Sequence, residues 1–441
     1  MTNSYSRAAG IALLLALVPG GAAAQDVTVT LADAVELALR AQPAVVQARG
    51  NVDVANAGRR EVIGSWLPRL TSSGSYTAQP TSRWSNDLQQ FVSGGSSTSQ
   101  SAGFSASLEL FDGFRRLAQG RAAGAQLASA DANLTNQQFQ VSLQVKQTFF
   151  SALAADELVR VAATRIQRAE EQLKVATEKL LAGSATRSDT LRSAVEMGNA
   201  RLALLTAETQ QATARAELAR LIGVDRPVRA LPDSTLFRMT ALDTAALRVE
   251  LMRSAPAVLS AEADARSAAA TVGVNRAQYF PTVTGSFSQN WSGPVTTGTD
   301  PVTGAQNTIT WRGQWSARLS LSWNIFNGFT REATLTRSTV ARETAEAQAA
   351  DARRQASAQL TQQFAAYQSA QTRITITVAS RAAAEEDLRV VRERYRLGAA
   401  TILDVLTSQV TLDQAEVDAV QAQFDFLVAR AQLEALLGRN L

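Results

Sequence analysis

The sequence predicts a mainly α chain that carries a membrane β-sheet. It reads as a tandem repeat, each half built from long antiparallel coiled-coil helices and one pair of strands. Three observations predict this. The 441 residues repeat at a nearly constant offset, each copy has about seventy residues without proline after its Phe-Asp-Gly or Phe-Asn-Gly turn, and each copy switches once from helical to two-residue periodicity.

The first element is a leader. Arg7 precedes an apolar run over residues 8–18, Pro19-Gly20-Gly21 breaks it, and Ala22-Ala23-Ala24 supplies small residues for cleavage. That order is a secretory signal, expected over 1–24. A run of about eleven residues is too short to cross a bilayer. No Cys follows to take a lipid, and no later stretch offers eighteen apolar residues. If the exported chain spans a membrane, it must do so with strands.

The repeat comes next. Arg40-Ala41-Gln42-Pro43-Ala44-Val45 returns 213 positions later as Arg253-Ser254-Ala255-Pro256-Ala257-Val258, and Trp66-Leu67-Pro68 returns as Tyr279-Phe280-Pro281. Phe111-Asp112-Gly113-Phe114 returns at 215 as Phe326-Asn327-Gly328-Phe329, and Leu221-Ile222-Gly223 as Leu436-Leu437-Gly438. The two-residue slip falls between Pro68 and Phe111, where a loop is expected. The units are 25–223 and 243–441, joined by a linker over 224–242 with Pro227 and Pro232.

Each unit opens on a short amphipathic stretch. Pro43 or Pro256 then starts a helix of about twenty residues. In the second unit Val283, Gly285, Phe287, Gln289 and Trp291 alternate with Thr282, Thr284, Ser286, Ser288 and Asn290. Trp315, Ala317, Leu319, Leu321, Trp323 and Ile325 do the same. Strands are therefore expected at about 282–292 and 314–326, and at about 69–79 and 102–111 in the first unit. Alternation over about ten residues suits a membrane strand, and all six Trp lie in or beside these segments, as an interfacial belt requires. The stretches between paired strands, 80–101 and 292–313, are rich in Ser, Thr and Gly and read as exposed loops.

Asp112 and Asn327 are read as N-caps of long helices over 113–182 and 328–397. Return helices follow at 186–222 and 401–437. Val159, Ile166, Leu173 and Leu180 recur every seven residues, with Ala162, Ala169 and Ala176 three places on, a large-then-small coiled-coil seam. The return helix offers Leu191, Gly198, Leu205 and Ala212 with Val195, Leu202 and Thr209 as its matching seam, and the second unit offers Val410, Val417, Phe424 and Ala431. A helix of about 32 Å and one of about 56 Å, stacked end to end, match one long helix of about 105 Å in rough length.

Four strands cannot close a barrel, and open edges cannot stand in lipid. Two chains give eight strands, whose interior side chains nearly fill; three give twelve and leave a lumen. Trimerisation is expected. With no His and no Cys, the chain has no Cys/His zinc site, Ser-His triad, Cys nucleophile or disulfide. It is read as no enzyme, with no cofactor and no resident metal. A net charge of +4 over this length is nearly balanced, so no nucleic-acid partner is expected. No Gly-x4-Gly-Lys-Ser/Thr occurs, so the chain does not supply its own ATP energy. The rival class is an exported coiled-coil structural or adhesive surface protein.

The leader, the tandem units, Pro43 and Pro256, the strand pairs, Phe111-Asp112-Gly113 and Phe326-Asn327-Gly328, and Tyr395-Arg396-Leu397-Gly398 with Ile402-Leu403-Asp404-Val405-Leu406 together resemble the TolC family of outer-membrane efflux and secretion channels. The resemblance spans essentially the whole mature chain. It implies a homotrimer with a 12-stranded barrel in outer-membrane lipid and an α-helical tunnel in the periplasm. It implies a periplasmic adaptor (membrane fusion) protein and an inner-membrane pump or ABC transporter as partners. Drugs, solvents, metals and secreted proteins all stay open as cargo. The chain has no lipidated Cys and ends just after the last helix, so a small mid-tunnel belt is expected.

The turns Gly183-Ser184-Ala185-Thr186 and Gly398-Ala399-Ala400-Thr401 sit at the far end of the helices from the strands. On residue type they are helical hairpins; the resemblance makes them the adaptor-docking tips. Asp189 and Asp404 each follow a Thr by three, the T-x-x-D pattern of a capping box. The resemblance adds a second reading, in which acids after the second turn line a closed entrance. Asp404 matches such a position, and Tyr395 and Asp189 complete the candidate set. Thr407 and Ala400 stand where that family pattern has an acid and an Arg, so the resemblance implies an entrance that is less tightly locked or locked differently.

Overall fold

A computed structural model describes residues 27–85, 87–232, 243–295 and 311–441. The leader, linker residues 233–242 and loop residues 296–310 lie outside the described residues.

The first half contains β1 (Val27–Val29), α1 (Leu31–Ala41), α2 (Pro43–Gly64), β2 (Arg69–Ser85), β3 (Gln90–Phe111), α3 (Arg115–Leu181) and α4 (Arg187–Ile222). The second half contains β4 (Val228–Ala230), α5 (Thr244–Ser254), α6 (Pro256–Arg276), β5 (Thr282–Val295), β6 (Arg312–Ser322), α7 (Thr330–Arg396) and α8 (Ile402–Leu437). The copies are matched in length: α3 and α7 have 67 residues each, about 100 Å, and α4 and α8 have 36 each. No helix among the described residues is long and apolar enough to cross a membrane, which says nothing of the strands.

The helices form a wall. α3 packs against α2 and α4 on one side and α6 and α8 on the other; α7 covers the far side of α6 and α8. The shorter helices are sewn end to end. Gln42, before α2, donates to the carbonyl of Leu221 at the end of α4, and Ser254 Oγ donates to the Leu437 carbonyl at 2.9 Å. Where each stack joins, Gly223 and Gly438 adopt positive φ and lie so close to Ala41 and to Ser254 that an added Cβ would clash at 2.7 and 2.8 Å. The largest core lies at this level. Phe149, Leu218, Leu251, Phe426 and Leu433 are fully buried there, under the parallel pair β1–β4. Nearer the sheet, α3 and α6 meet through polar side chains: Ser267 Oγ donates to Gln126 at 2.8 Å and Ser260 Oγ to Asn133 at 2.7 Å.

The strands form one antiparallel sheet in the order β2-β3-β5-β6, leaving β2 and β6 as edges. Its faces differ in chemistry. Leu70, Phe104, Ala106, Phe287, Trp291, Trp315 and Leu319 share one face, where Phe104 lies 6.0 Å from Phe287 and 6.2 Å from Trp291. Ser and Thr line the other, joined across strands by Thr71–Ser105, Ser75–Ser101 and Ser288–Ser316 contacts of 2.7, 2.8 and 2.9 Å.

Several expectations are corrected. The stretch 80–101 is not a loop. β2 runs to Ser85 and β3 begins at Gln90, because Ser and Thr pair across strands as well as they fill loops. β5 likewise reaches Val295, while β6 ends at Ser322, short of 326. Asp112 and Asn327 are not the N-cap residues. Gly113-Phe114 and Gly328-Phe329 adopt left-handed φ, so the helices begin at Arg115 and Thr330. Asp112 still accepts from the Arg116 amide at 2.8 Å and pairs with the buried Arg116 side chain at 3.0 Å. The seam expected on α4 faces outward. Leu191, Val195, Leu202 and Leu205 are exposed, and Ser193, Met197, Ala200 and Ala207 are buried instead. The reason lies on α3, whose small Ala169 lets α4 approach closely and accept Met197 and Ala200 against it. On α8, Phe424 and Ala431 are buried as expected, but Val410 is exposed.

Candidate functional site

The two helical hairpins α3–α4 and α7–α8 end in turns of the same construction. In the first, the Gly183 amide donates to Leu180 at 3.0 Å and the Ser184 amide to Lys179 at 2.8 Å. In the second, Gly398 donates to Tyr395 at 3.1 Å and Ala399 to Arg394 at 2.7 Å. Both are Schellman caps, which require a left-handed residue after the C-cap. Gly183 and Gly398 supply it at φ +71° and +80°, with no atom near a prospective Cβ. These glycines therefore serve the backbone, not close packing within the chain.

Thr186 and Thr401 then start the return helices as N-caps, each in a reciprocal capping box. The Asp189 amide donates to Thr186 Oγ1 at 3.3 Å and Asp189 Oδ2 accepts from the Thr186 amide at 2.9 Å. The Asp404 amide donates to Thr401 Oγ1 at 3.3 Å, and Asp404 Oδ2 accepts from the Thr401 amide and hydroxyl, both at 2.8 Å. Those hydrogen bonds from Thr401, with help from the nearby Arg394 charge, hold the Asp404 carboxyl below its ordinary value. The carboxylate remains exposed to solvent.

Tyr395 is buried at the tip with Leu388, Ile402 and Val405. Burial, then the Asp189 charge, raises its hydroxyl pKa. Lys179 ties the two hairpins together: its ammonium donates to the Tyr395 carbonyl and stands 4.3 Å from the Tyr395 ring centroid. Tyr395 thus meets Lys179 and feels the Asp189 charge, while Asp189 and Asp404 are each engaged by the capping box of their own turn. Ala185, Ser184, Ala399 and Ala400 form the rest of the tips; Ser184 Oγ donates to the Lys179 carbonyl at 3.2 Å.

The sequence reading missed three features here. One is Lys179, a Lys in the last turn of a helix, where it reads as a dipole partner. Another is the pair Leu181 and Leu397, 84% and 83% exposed, which put an apolar side chain at each tip. Their signal is a large apolar residue directly before a helix-ending turn. The third is an ion network farther up the wall. Arg165 pairs with Glu196 at 2.7 Å and Asp413 at 2.9 Å, and Arg168 pairs with Asp413 at 2.8 Å and Glu416 at 2.6 Å. It links α3 to α4 and α8. Burial pushes the Asp413 carboxyl up, against the lowering by Arg165 and Arg168. Among the described residues no group of His, Cys, Asp or Glu is arranged to hold a metal ion.

Comparison with known proteins places this geometry in a group. The outer membrane efflux protein family matches residues 34–224 and 247–439. The cobalt-zinc-cadmium resistance protein CzcC of Cupriavidus metallidurans is 29% identical over 175 residues, 40% of this chain and 42% of that protein. The pyoverdine export outer membrane protein OpmQ of Pseudomonas putida is 29% identical over 365 residues, 78% of this chain and 71% of that protein. The match therefore spans less than half of CzcC and most of OpmQ. The crystal structure of VceC from Vibrio cholerae aligns with a TM-score of 0.74 at 19% identity, covering 93% of this chain and 96% of that one. At that identity the likeness is one of fold.

Proposed function

This chain belongs to the outer membrane efflux protein family, and on that premise we propose that it is the outer-membrane exit duct of a tripartite efflux or type I secretion assembly, acting as a homotrimer. The observation that carries the reading is the sheet. It has an apolar face for lipid, a serine-rich face for water, and two unpaired edges, β2 and β6. Joining each β6 to the next chain's β2 in a ring of three gives twelve strands with no free edge. The helical wall has matching edges, the α2/α4 stack and α7. The exposed Leu191, Val195, Leu202 and Leu205 repeat at coiled-coil spacing along α4 and suit a neighbouring helix.

The duct is passive, with energy supplied by an inner-membrane pump or ABC transporter through a periplasmic adaptor. The tips, residues 183–186 and 398–401 with Leu181 and Leu397, are the proposed adaptor-docking surface. Asp404, Tyr395 and Asp189 are the proposed entrance residues. Relatives named for cobalt-zinc-cadmium resistance and for pyoverdine export leave the cargo class open. Heat-modifiability on a gel, light scattering and planar-bilayer conductance test the reading together. A detergent-extracted trimer that resists SDS until heated and conducts supports it. A stable folded monomer that does not conduct refutes it.

A further inference from the structure

The sheet's charged residues are unevenly signed. Its four strands contain Arg69, Arg83, Arg312 and Arg318 but a single acid, Glu109. Arg69, Arg312 and Arg318 all fall on the serine-rich face. Arg69 and Arg318 occupy one row through Ser107 and Ser286, and Arg312 aligns with Ser292, Ser101 and Ser75 in another. The two rows lie six residues apart on β6, about 20 Å. Glu109 is on the same face, but Arg115 neutralises it at 2.6 Å. None of the three arginines has an ion-pair partner among the described residues, and all three are exposed.

We propose that these three arginines make the barrel segment of the duct an anion path, favouring cargo that carries carboxylate or phosphate groups. The proposal rests on the trimeric-barrel reading, which turns the serine-rich face to the lumen. Three copies then bring nine guanidinium groups into one water-filled channel with no unpaired acid among the described residues of its strands. Guanidinium is always charged and presents paired donors that match carboxylate and phosphate oxygens. Low-dielectric walls lined with one sign of charge concentrate the opposite ion. Arg69 and Arg318 come from the two edge strands. Barrel closure therefore brings Arg318 of one protomer to the seam that carries Arg69 of the next, and concentrates charge where chains meet.

The test is reversal potential across a planar bilayer in a KCl gradient, with the full-length trimer. Arg69→Gln/Arg312→Gln/Arg318→Gln should lower the chloride-to-potassium permeability ratio by at least about threefold, while the Lys triple variant, which keeps the charge, stays near wild type. Should the Gln variant fail to assemble, the wild type is probed directly. Inorganic pyrophosphate added on the barrel side should reduce current at a lower concentration than from the tunnel side. A conducting trimer with an unchanged ratio overturns this inference alone, as does equal pyrophosphate block from both sides. Loss of lipopolysaccharide binding with unchanged selectivity also overturns it, since the arginines would then face lipid. A chain that forms no conducting trimer overturns both readings.

Discussion

Leu202→Ser/Leu205→Ser tests the outward stripe on α4. The side chains at 191, 195, 202 and 205 are 58%, 64%, 64% and 60% exposed, so little of their burial is satisfied within one chain. Full burial of such a side chain contributes about 1.5–3 kcal/mol, and roughly three-fifths of that remains available at a neighbour, or about 1–2 kcal/mol each. The double variant should cost about 2–4 kcal/mol at each of the three interfaces of a trimer, before any compensating repacking. The assay is the temperature at which the SDS-resistant trimer converts to monomer on a gel. The variant should convert at a clearly lower temperature than wild type. Leu181→Ser is the control: that residue is more exposed still, but it sits on a tip turn and should leave the conversion unchanged. If the double variant converts with wild type, or if Leu181→Ser falls as far, the stripe is not a subunit contact.

Gly398→Trp should leave the barrel assembled and abolish export in cells that depend on it. Unchanged export with normal adaptor crosslinking would remove the tip assignment. Arg168→Ala leaves Asp413 buried with Arg165 as its remaining ion-pair partner, a defect worth up to about 3–5 kcal/mol where one partner of a buried pair is lost; the variant should unfold at lower denaturant than wild type. The Asp404 carboxyl is depressed in the folded chain, so the stability it gives is present above its unfolded value near about 3.9 and is lost as pH falls through the folded one. Hydrogen-exchange protection in the first turn of α8, taken relative to the unfolded chain at each pH, should therefore be flat above about pH 5 and fall in acid, and Asp404→Asn should remove that dependence. If Asp404 also lines the entrance, Asp404→Asn shifts selectivity toward anions and Asp189→Asn does not; equal silence of both makes Asp404 a cap only.

Local chemistry was legible in the sequence. Gly183, Thr186 and Asp189, with Gly398, Thr401 and Asp404, encode turn and cap in six residues whose geometry needs no distant partner. The repeat was legible because both copies keep register through helices, where one inserted residue would rotate every side chain after it. What depends on neighbours was not. A heptad of Leu and Val on α4 identifies a seam but not its partner, and the close approach allowed by Ala169 decided that Met197 and Ala200 face α3. Strand length was hidden because Ser and Thr serve loops and a wetted sheet face equally. Arg165 and Arg168 lie 245 or more positions from Asp413 and Glu416, so no spacing rule joins them. Lys179 was hidden for the same reason, since its target is the carbonyl of Tyr395 in the other hairpin.

Closure of the sheet between chains is the claim on which the rest stands, and the absence of native cysteine makes it directly measurable. Thr71→Cys on β2 would be combined in turn with Gln314→Cys, Ser316→Cys, Arg318→Cys and Ser320→Cys on β6, all on the serine-rich face. Mild oxidation in the outer membrane should give, at one register, covalent dimers and trimers and nothing larger, because a ring of three has no further edge to join. Monomers alone at every register, or a ladder that continues past three, would contradict the closed trimeric barrel.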